Sequence, residues 1–348
     1  MTNTWPNVLA GLINGVDLTP AEANWAMDQI LAGEASNVQI AGFAVALRAK
    51  GETVAEISGL AEAMLNRATP ISLSSDAVDI VGSGGDRANT VNISTMAAIV
   101  AAAAGVPVIK HGNRAASSAS GTADCLEALG VALNVPPAAQ AGVMRELGIV
   151  FLFAAMYHPA LRFAGTARRE LAVQTTFNFL GPLANPVRPD AQAVGVANER
   201  MAPLIAGVLA GRGTRGMVFH GGDGLDELTT TTDSRVWLIN AGKLNEVSLD
   251  PLELGIGRAK REELVGGVPE ANAKVVRSVL NGDQGPVRDV VLLNAAAAGL
   301  SYTGPVLDVP LAAQLAPQLD RMRAAIDSGA ANRLLDAWIS KTQAAAAK

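Results

Sequence analysis

Two polar, glycine-bearing stretches hold the residue types that could do chemistry. GSGGD at 82–86 is followed by NTVNIST at 89–95, and KHGNRAASS at 110–118 by SGTAD at 120–124. Gly82, Gly84 and Gly85 let a backbone approach a ligand closely and expose N–H groups. Asn92, Ser94 and Thr95 fall where a helix should begin, so hydroxyls, an amide and unpaired N–H groups point one way. Lys110 and Arg114 bring positive charge, His111 and Asn113 directional donors, and Ser117 and Ser118 hydroxyls. This set suits an anionic sugar. Asp86 is the exception, because a carboxylate repels phosphate. It reads as an acceptor for a ribose hydroxyl or a loop N–H, or as a cation partner. Neither well-known glycine loop fits: Gly-x-Gly-x-x-Gly needs glycine at Arg87, and no Gly-Lys-Ser/Thr follows. Either loop alone also reads as a tight turn before a capped helix. Both together, one helix apart, point to a site. A third stretch, His220 to Glu227, precedes threonines at 229–232. Its carboxylates Asp223, Asp226 and Glu227 supply the oxygen ligands magnesium prefers, although such a stretch alone also reads as a solvated acidic turn.

These residues need elements to position them. Val78–Val81 reads as a buried strand, Gly82–Asp86 as the turn leaving it, and Ser94–Ala104 as a helix stopped by Gly105. Val106–Ile109 is the next strand, Lys110–Ser118 its loop, and Thr122–Leu129 the helix after it. Two strand–loop–helix units in series imply a parallel sheet with both loops at carboxyl ends of strands, the edge where open α/β sheets bind ligands. Upstream, Thr19–Glu22, Ser36–Gln39 and Thr53–Glu56 open three helices, ended at Gly33, Gly51 and about Arg67. They make a small α-domain. Downstream, Pro137–Leu147 reads as a helix, Ile149–Phe153 as a strand, Pro159–Leu171 as helical and 178–189 as an ordered loop. Val194–Val196, Gly216–Phe219 and Val236–Ile239 are further strands. From Ala271 the chain is mostly helical: Val290–Leu300 is buried, Pro317–Ile339 is amphipathic with a break at Gly329, and Gln343–Lys348 is a frayed tail.

The chain has 348 residues, 49% hydrophobic and 17% charged, which suits roughly two globular domains with ample core. A net charge of −5 and a pI of about 5.3 argue against non-specific nucleic-acid binding. The single cysteine, Cys125, excludes an internal disulfide and fits a reducing cytoplasm. The first basic residue is Arg48, so no secretory signal is expected, and the apolar run 96–109 is too short and too proline-broken to span a bilayer.

GSGGD, NTVNIST, KHGNRAASS and SGTAD, with YHPALR at 157–162, FNFLGPLANP at 177–186 and GLDELTTTT at 224–232, resemble the signature segments of anthranilate phosphoribosyltransferases in order and spacing. The likeness covers nearly the whole chain. It implies an α/β fold of the nucleoside phosphorylase-like phosphoribosyltransferase kind. A small, discontinuous all-α domain would span 1–72 with a returning segment at about 158–188. A larger α/β domain with a mainly parallel central sheet would span 73–348. The implied reaction joins anthranilate and phosphoribosyl pyrophosphate, giving phosphoribosyl-anthranilate and pyrophosphate in tryptophan biosynthesis.

Carried over residue by residue, the donor site comprises Gly82, Gly85, Asp86 and Thr90 from the first loop, with Asn92, Ile93, Ser94 and Thr95 at the helix start. Lys110, His111, Gly112, Asn113, Arg114, Ala115, Ala116, Ser117, Ser118 and Thr122 complete it. Gly82, Asn113 and Arg168 would contact anthranilate, with Arg168 pairing its carboxylate. Ser94, Asp226 and Glu227 would hold magnesium, as two ions. No general base is expected, because an aromatic amine is already unprotonated near neutral pH. The resemblance also implies a homodimer through the α-domain. Three positions depart from the pattern: Ser83 stands for a usual threonine, and Ala172 and Gln174 where relatives often carry glycine and arginine. Two alternatives remain. A pyrimidine nucleoside phosphorylase of related architecture is disfavoured by KHGNR and the Asp226–Glu227 pair. A non-enzymatic nucleic-acid-binding relative is disfavoured by the acidic pI. A different phosphoribosyltransferase class is excluded because Asp233, not glycine, follows the threonines.

Overall fold

The computed structural model describes residues 3–115 and 119–347; the expectations at Ala116, Ser117 and Ser118 lie outside the described residues. The chain divides into two compact units, Met1–Pro70 with Ala154–Pro186, and Ile71–Phe153 with Val187–Lys348.

The smaller unit is helical. Reciprocal capping boxes open the helices Pro20–Ala32, Asn37–Lys50 and Val54–Asn66. A further helix, Trp5–Ile13, starts at a Thr4 cap. Glu56 is a cap residue and also a buried anchor. Its carboxylate accepts the N–H groups of Thr53 and Leu18, each at 2.9 Å, and pairs with Lys50 at 3.0 Å. A buried carboxylate so supplied with partners does not carry the cost of an isolated charge. The second passage through this unit is irregular, with 3-10 turns at Pro159–Ala164, Thr176–Phe179 and Gly181–Leu183 around the short helix Gly165–Leu171. Thr176 Oγ1 donates to Glu52 at 2.7 Å, and His158 Nε2 lies 2.7 Å from the Ala184 carbonyl. His158 is thus a packing residue whose pKa burial holds below its usual value.

The larger unit is built on one seven-stranded sheet. Its strands are β1 Val78–Gly82, β2 Val108–Gly112, β3 Ile149–Phe153, β4 Ala191–Gly195, β5 Arg215–Gly221, β6 Ser234–Asn240 and β7 Lys243–Leu249, in the order β3-β2-β1-β4-β5-β6-β7. β1 to β5 are parallel, while β6 and β7 run antiparallel at one edge. The helices Ile93–Ala103 and Pro286–Thr303 pack together and are buried on almost every side.

Among the elements that differ from the sequence reading are β2, β7 and the C-terminal helices. β2 begins at Val108 and includes Lys110, His111 and Gly112, which were expected in the loop. Pairing with β3 continues to Gly112 opposite Phe153, and the polar atoms find partners inside: Lys110 Nζ donates to the Ile80 carbonyl at 2.5 Å, His111 N–H to Asp79 at 3.1 Å. β7 carries Lys243 and Glu246 on a mostly exposed edge, so it lacks an apolar run, and charge is how edges avoid pairing. The amphipathic helix starts at Leu311, with Pro317 inside it, and a second runs from Ala330 to Ala346. The proline removes one intrahelical bond, offset by burial of Leu311, Leu315, Leu319 and Met322 along one face. Buried Trp338 and Thr342 carry the last helix almost to the end.

Candidate active site

β1 and β4 are neighbours at the point where the strand order reverses, since the chain leaves β1 towards β2 on one side and β4 towards β5 on the other. Such a switch point opens a crevice at the carboxyl ends of the strands. Gly82 ends β1, Gly195 ends β4, and the two are paired. The acidic segment lies directly on them. A Cβ at Gly195 would sit 1.7 Å from the Asp226 carbonyl oxygen, and one at Gly82 would sit 2.3 Å from Asp226 Oδ2. No side chain fits at Gly195, and one at Gly82 would have to displace the Asp226 carboxylate. Gly195 was not singled out as a site residue. Its signal was a glycine inside a strand, which marks close approach of another backbone.

The first loop is shaped around Asp226. Gly84 N–H donates to Asp226 Oδ2 at 2.6 Å. Gly84 and Gly85 have φ of 71° and 87°, the left-handed region glycine tolerates. Ser83, the departure from the usual threonine, keeps a full role: its N–H donates to the Gly195 carbonyl at 2.9 Å and its hydroxyl accepts Ala197 N–H at 3.0 Å. Asp86 accepts Ala88 N–H at 3.2 Å and lies near enough to Asp226 for the two carboxylates to repel each other.

The acidic stretch splits in two. Asp223 turns to the threonines, accepting Thr229 Oγ1 at 2.8 Å and a shorter bond from Thr231 Oγ1. It shapes the loop and does not join the other two carboxylates, contrary to the three-carboxylate expectation. Asp226 and Glu227 are buried and are joined instead by Asp86. Desolvation, then repulsion from Asp86, raises the Asp226 pKa to about 7. Desolvation, then repulsion from Asp226, raises Glu227 well above the usual carboxylate range, opposed by Lys110.

Lys110 is fully buried, where desolvation lowers its pKa against the pull of Asp79, Glu227 and Asp226. It donates to Ser94 Oγ at 3.2 Å, and the nearby Glu227 carboxylate pulls on its charge. Ser94, Glu227 and Lys110 therefore form one cluster, and Gly82, Gly84, Asp86 and Asp226 another beside it. Among the described residues no three His, Cys, Asp or Glu side chains converge as a ready-made metal site. The donors on hand are two carboxylates and the Ser94 hydroxyl, hard oxygens that fit magnesium. The raised carboxylate pKa values mark a place short of positive charge.

The second loop is stapled by Asp124, a residue assigned no role from sequence. Asp124 Oδ2 accepts Ala115 N–H at 2.9 Å and Gly121 N–H at 3.0 Å. Arg114 is engaged on the exposed side, with Asp124 at 3.0 Å and Glu127 at 2.8 Å. Thr122 opens the helix Thr122–Leu129, and Thr90 pairs with Val265 in an isolated bridge. Thr95 Oγ1 is buried and has no hydrogen-bond partner among the described residues. In the smaller unit, the Arg168 guanidinium lies 5.8 Å from the Phe177 ring centroid, and desolvation holds its pKa below the usual value. Gly82 and Asn113 are on the larger unit and Arg168 on the smaller. Ala172, where relatives often carry glycine, caps the Arg168 helix at φ 52°, a conformation glycine adopts without strain.

A helical unit that the chain revisits, and a mainly parallel sheet with a glycine loop and acidic pair at its switch point, define the class. Residues 6–68 match the glycosyl transferase family helical bundle domain, and 74–332 match the glycosyl transferase family a/b domain. The chain belongs to this family, and it is a glycosyltransferase. Within the family it belongs with the anthranilate phosphoribosyltransferases. It is 58% identical to that enzyme of Arthrobacter sp. (strain FB24), over 98% of this chain and 97% of the relative. The anthranilate phosphoribosyltransferase of Thermus thermophilus superposes with a TM-score of 0.88 at 42% identity, covering 97% of this chain and 99% of that one. The Saccharomyces cerevisiae enzyme, in complex with PRPP and Mg, superposes at 0.87 and 25% identity, covering 98% of each chain.

Proposed function

We propose that this chain transfers the 5-phosphoribosyl group of phosphoribosyl pyrophosphate to the amine of anthranilate, at the switch point of its sheet. The observation that carries the reading is the buried Asp226–Glu227 pair, laid on Gly82 and Gly195 beside the glycine loop. Asp226, Glu227 and the Ser94 hydroxyl would hold magnesium, two ions in all, and that charge would neutralise the pyrophosphate leaving group as the C1–O bond breaks. The backbone N–H groups expected to face the donor are engaged within the chain, Gly84 N–H on Asp226 and those of Ile93, Thr95 and Met96 on the carbonyls of Val91 and Asn92, so the side chains and the metal carry this task. Gly82, Gly85, Asp86, Thr90, Asn92 to Thr95, Lys110 to Ser118 and Thr122 make up the donor site. Within it, Lys110 acts from beneath, by setting Ser94 and balancing the carboxylates. Arg114 has to exchange its acidic partners for phosphate.

Gly82, Asn113 and Arg168 take anthranilate, and the half-buried Arg168, with no carboxylate among its described contacts, pairs with the substrate carboxylate. The anomeric carbon becomes cation-like, so the neutral aromatic amine needs little activation, and positioning carries much of the rate. We assign no general base. A second copy would bind through the α-unit, where Ile13, Val16, Val38 and Val45 are exposed. Among the described residues no helix is long and apolar enough to cross a membrane, and we place the reaction in the cytoplasm.

Loss of anthranilate fluorescence in the presence of donor and magnesium tests the reading. Asp226→Asn combined with Glu227→Gln should abolish turnover while the far-ultraviolet dichroism stays native. Near-wild-type turnover of this variant at limiting magnesium would remove the metal role.

A further inference from the structure

The two loops that form the proposed donor site are tied together through Asn92 and Ser120, and that tie is held by a side chain outside the motifs. Asn92 Nδ2 donates to the Ser120 carbonyl at 3.2 Å, and Asn92 Oδ1 accepts Ser120 Oγ at 3.3 Å. The same Oδ1 accepts Asn272 Nδ2 at 2.8 Å. Asn272 lies on the helix Pro269–Leu280, is 1% exposed, and its own Oδ1 accepts Gly267 N–H at 2.8 Å. The segment before it docks on the first loop. Val91 N–H donates to the Leu264 carbonyl at 3.0 Å and Gly266 N–H to the Asn89 carbonyl at 2.7 Å. The fit is close, because a Cβ at Gly266 would lie 2.7 Å from Asn272 Oδ1 and 2.9 Å from the Thr90 carbonyl.

A primary amide has two faces, and its orientation is set by which neighbours donate and which accept. At Asn92 two donors converge on Oδ1, so Nδ2 is held towards the Ser120 carbonyl. Asn272 is anchored in turn by Gly267 N–H, and so can present only its Nδ2 to Asn92. Asn92 sits at the N-cap of the helix Ile93–Ala103 without capping it through its side chain. Its amide bridges to the second loop instead.

We propose that Asn272 is a positioning residue for the phosphoribosyl donor, acting through the Asn92 amide to hold the first loop against the second. This rests on the donor site described above. It assigns a role to the Leu264–Asn272 segment, far in sequence from either loop. A site whose supporting contacts are loose loses affinity without losing its residues.

Steady-state kinetics on four proteins tests it: wild type, Asn272→Ala, Asn92→Ala and the double variant, with thermal melts alongside. Asn272→Ala should raise the donor KM on the order of tenfold, the scale of one lost hydrogen bond in a binding site. kcat at saturating donor and the anthranilate KM should stay within about twofold, because Asn272 touches neither reacting group. The double variant should have the donor KM of Asn92→Ala alone, because a residue that acts through another adds nothing once that one is gone. Asn272→Asp keeps the acceptor for Gly267 N–H but sets an acceptor against Asn92 Oδ1. It should raise the donor KM at least as much as alanine does, because the buried carboxylate faces another acceptor. An unchanged donor KM in both Asn272 variants overturns the proposal. So do effects of Asn92 and Asn272 that multiply, or a loss confined to melting temperature and kcat. Wild type without magnesium-dependent turnover would instead overturn the donor-site reading underneath it.

Discussion

Gly195→Ala tests how the acidic pair is held. The added Cβ would lie 1.7 Å from the Asp226 carbonyl oxygen, 2.3 Å from its carbonyl carbon and 3.1 Å from Glu227 N. Ordinary contact begins at 3.4 Å, so the Asp226 backbone must retreat by about 1.7 Å. It cannot rotate away as a flexible side chain would, and β4 is fixed by pairing with both β1 and β5. Overpacking of this kind costs about 1–3 kcal/mol, which the usual margin of roughly 5–15 kcal/mol tolerates. The chemistry tolerates less, since a displacement of about 1 Å at positioning groups costs on the order of 100-fold. The variant should therefore fold, melt at a somewhat lower temperature, and lose at least about 100-fold in kcat/KM at fixed magnesium, with a raised magnesium requirement. Gly142→Ala is the matched control: it lies in the helix Pro137–Leu147 with nothing within 4 Å of its added Cβ. It should leave activity unchanged. Activity of Gly195→Ala within about threefold of wild type would refute the claim that this close approach places Asp226 and Glu227.

Other outcomes follow from the same geometry. With Asp226 held at about 7 in the fold against an ordinary 3.8, the metal-free folded state keeps a proton that the unfolded chain releases. Its stability contribution must fall as pH rises between those values, by up to about 4 kcal/mol at about 1.4 kcal/mol per pKa unit. The melting temperature of metal-free wild type relative to Asp226→Asn should therefore drop from pH 4.5 to 7.5, and a flat difference would contradict it. Arg168→Ala should raise the anthranilate KM far more than the donor KM, by the equivalent of about 2–5 kcal/mol, and equal effects on both substrates would make Arg168 structural. Ala172→Gly should raise the melting temperature slightly by relieving the φ of 52°, a strain of about 1 kcal/mol; a lowered melting temperature would contradict that account.

Local rules in the sequence decided the three capped helices, because each capping box satisfies its own backbone groups within one turn: Thr19 with Glu22, Ser36 with Gln39 and Thr53 with Glu56. The strand–glycine loop–helix order likewise fixed a parallel sheet and the edge on which its loops gather. The tertiary structure alone decided which residues meet there. Lys110 read as a loop cation, but pairing with β3 draws it into the sheet, where it supports Ser94 from below. By residue type Asp223, Asp226 and Glu227 look alike, and the physical reason they part is the threonines that take Asp223 and the glycines that admit Asp226. Asp124 and Asn272 could not be assigned from pattern, because their partners depend on how loops far apart in sequence are brought together. Periodicity and capping act over a few residues and can be read along the chain. The contacts that shape this site join the ends of non-adjacent strands, and only the packed sheet brings them together.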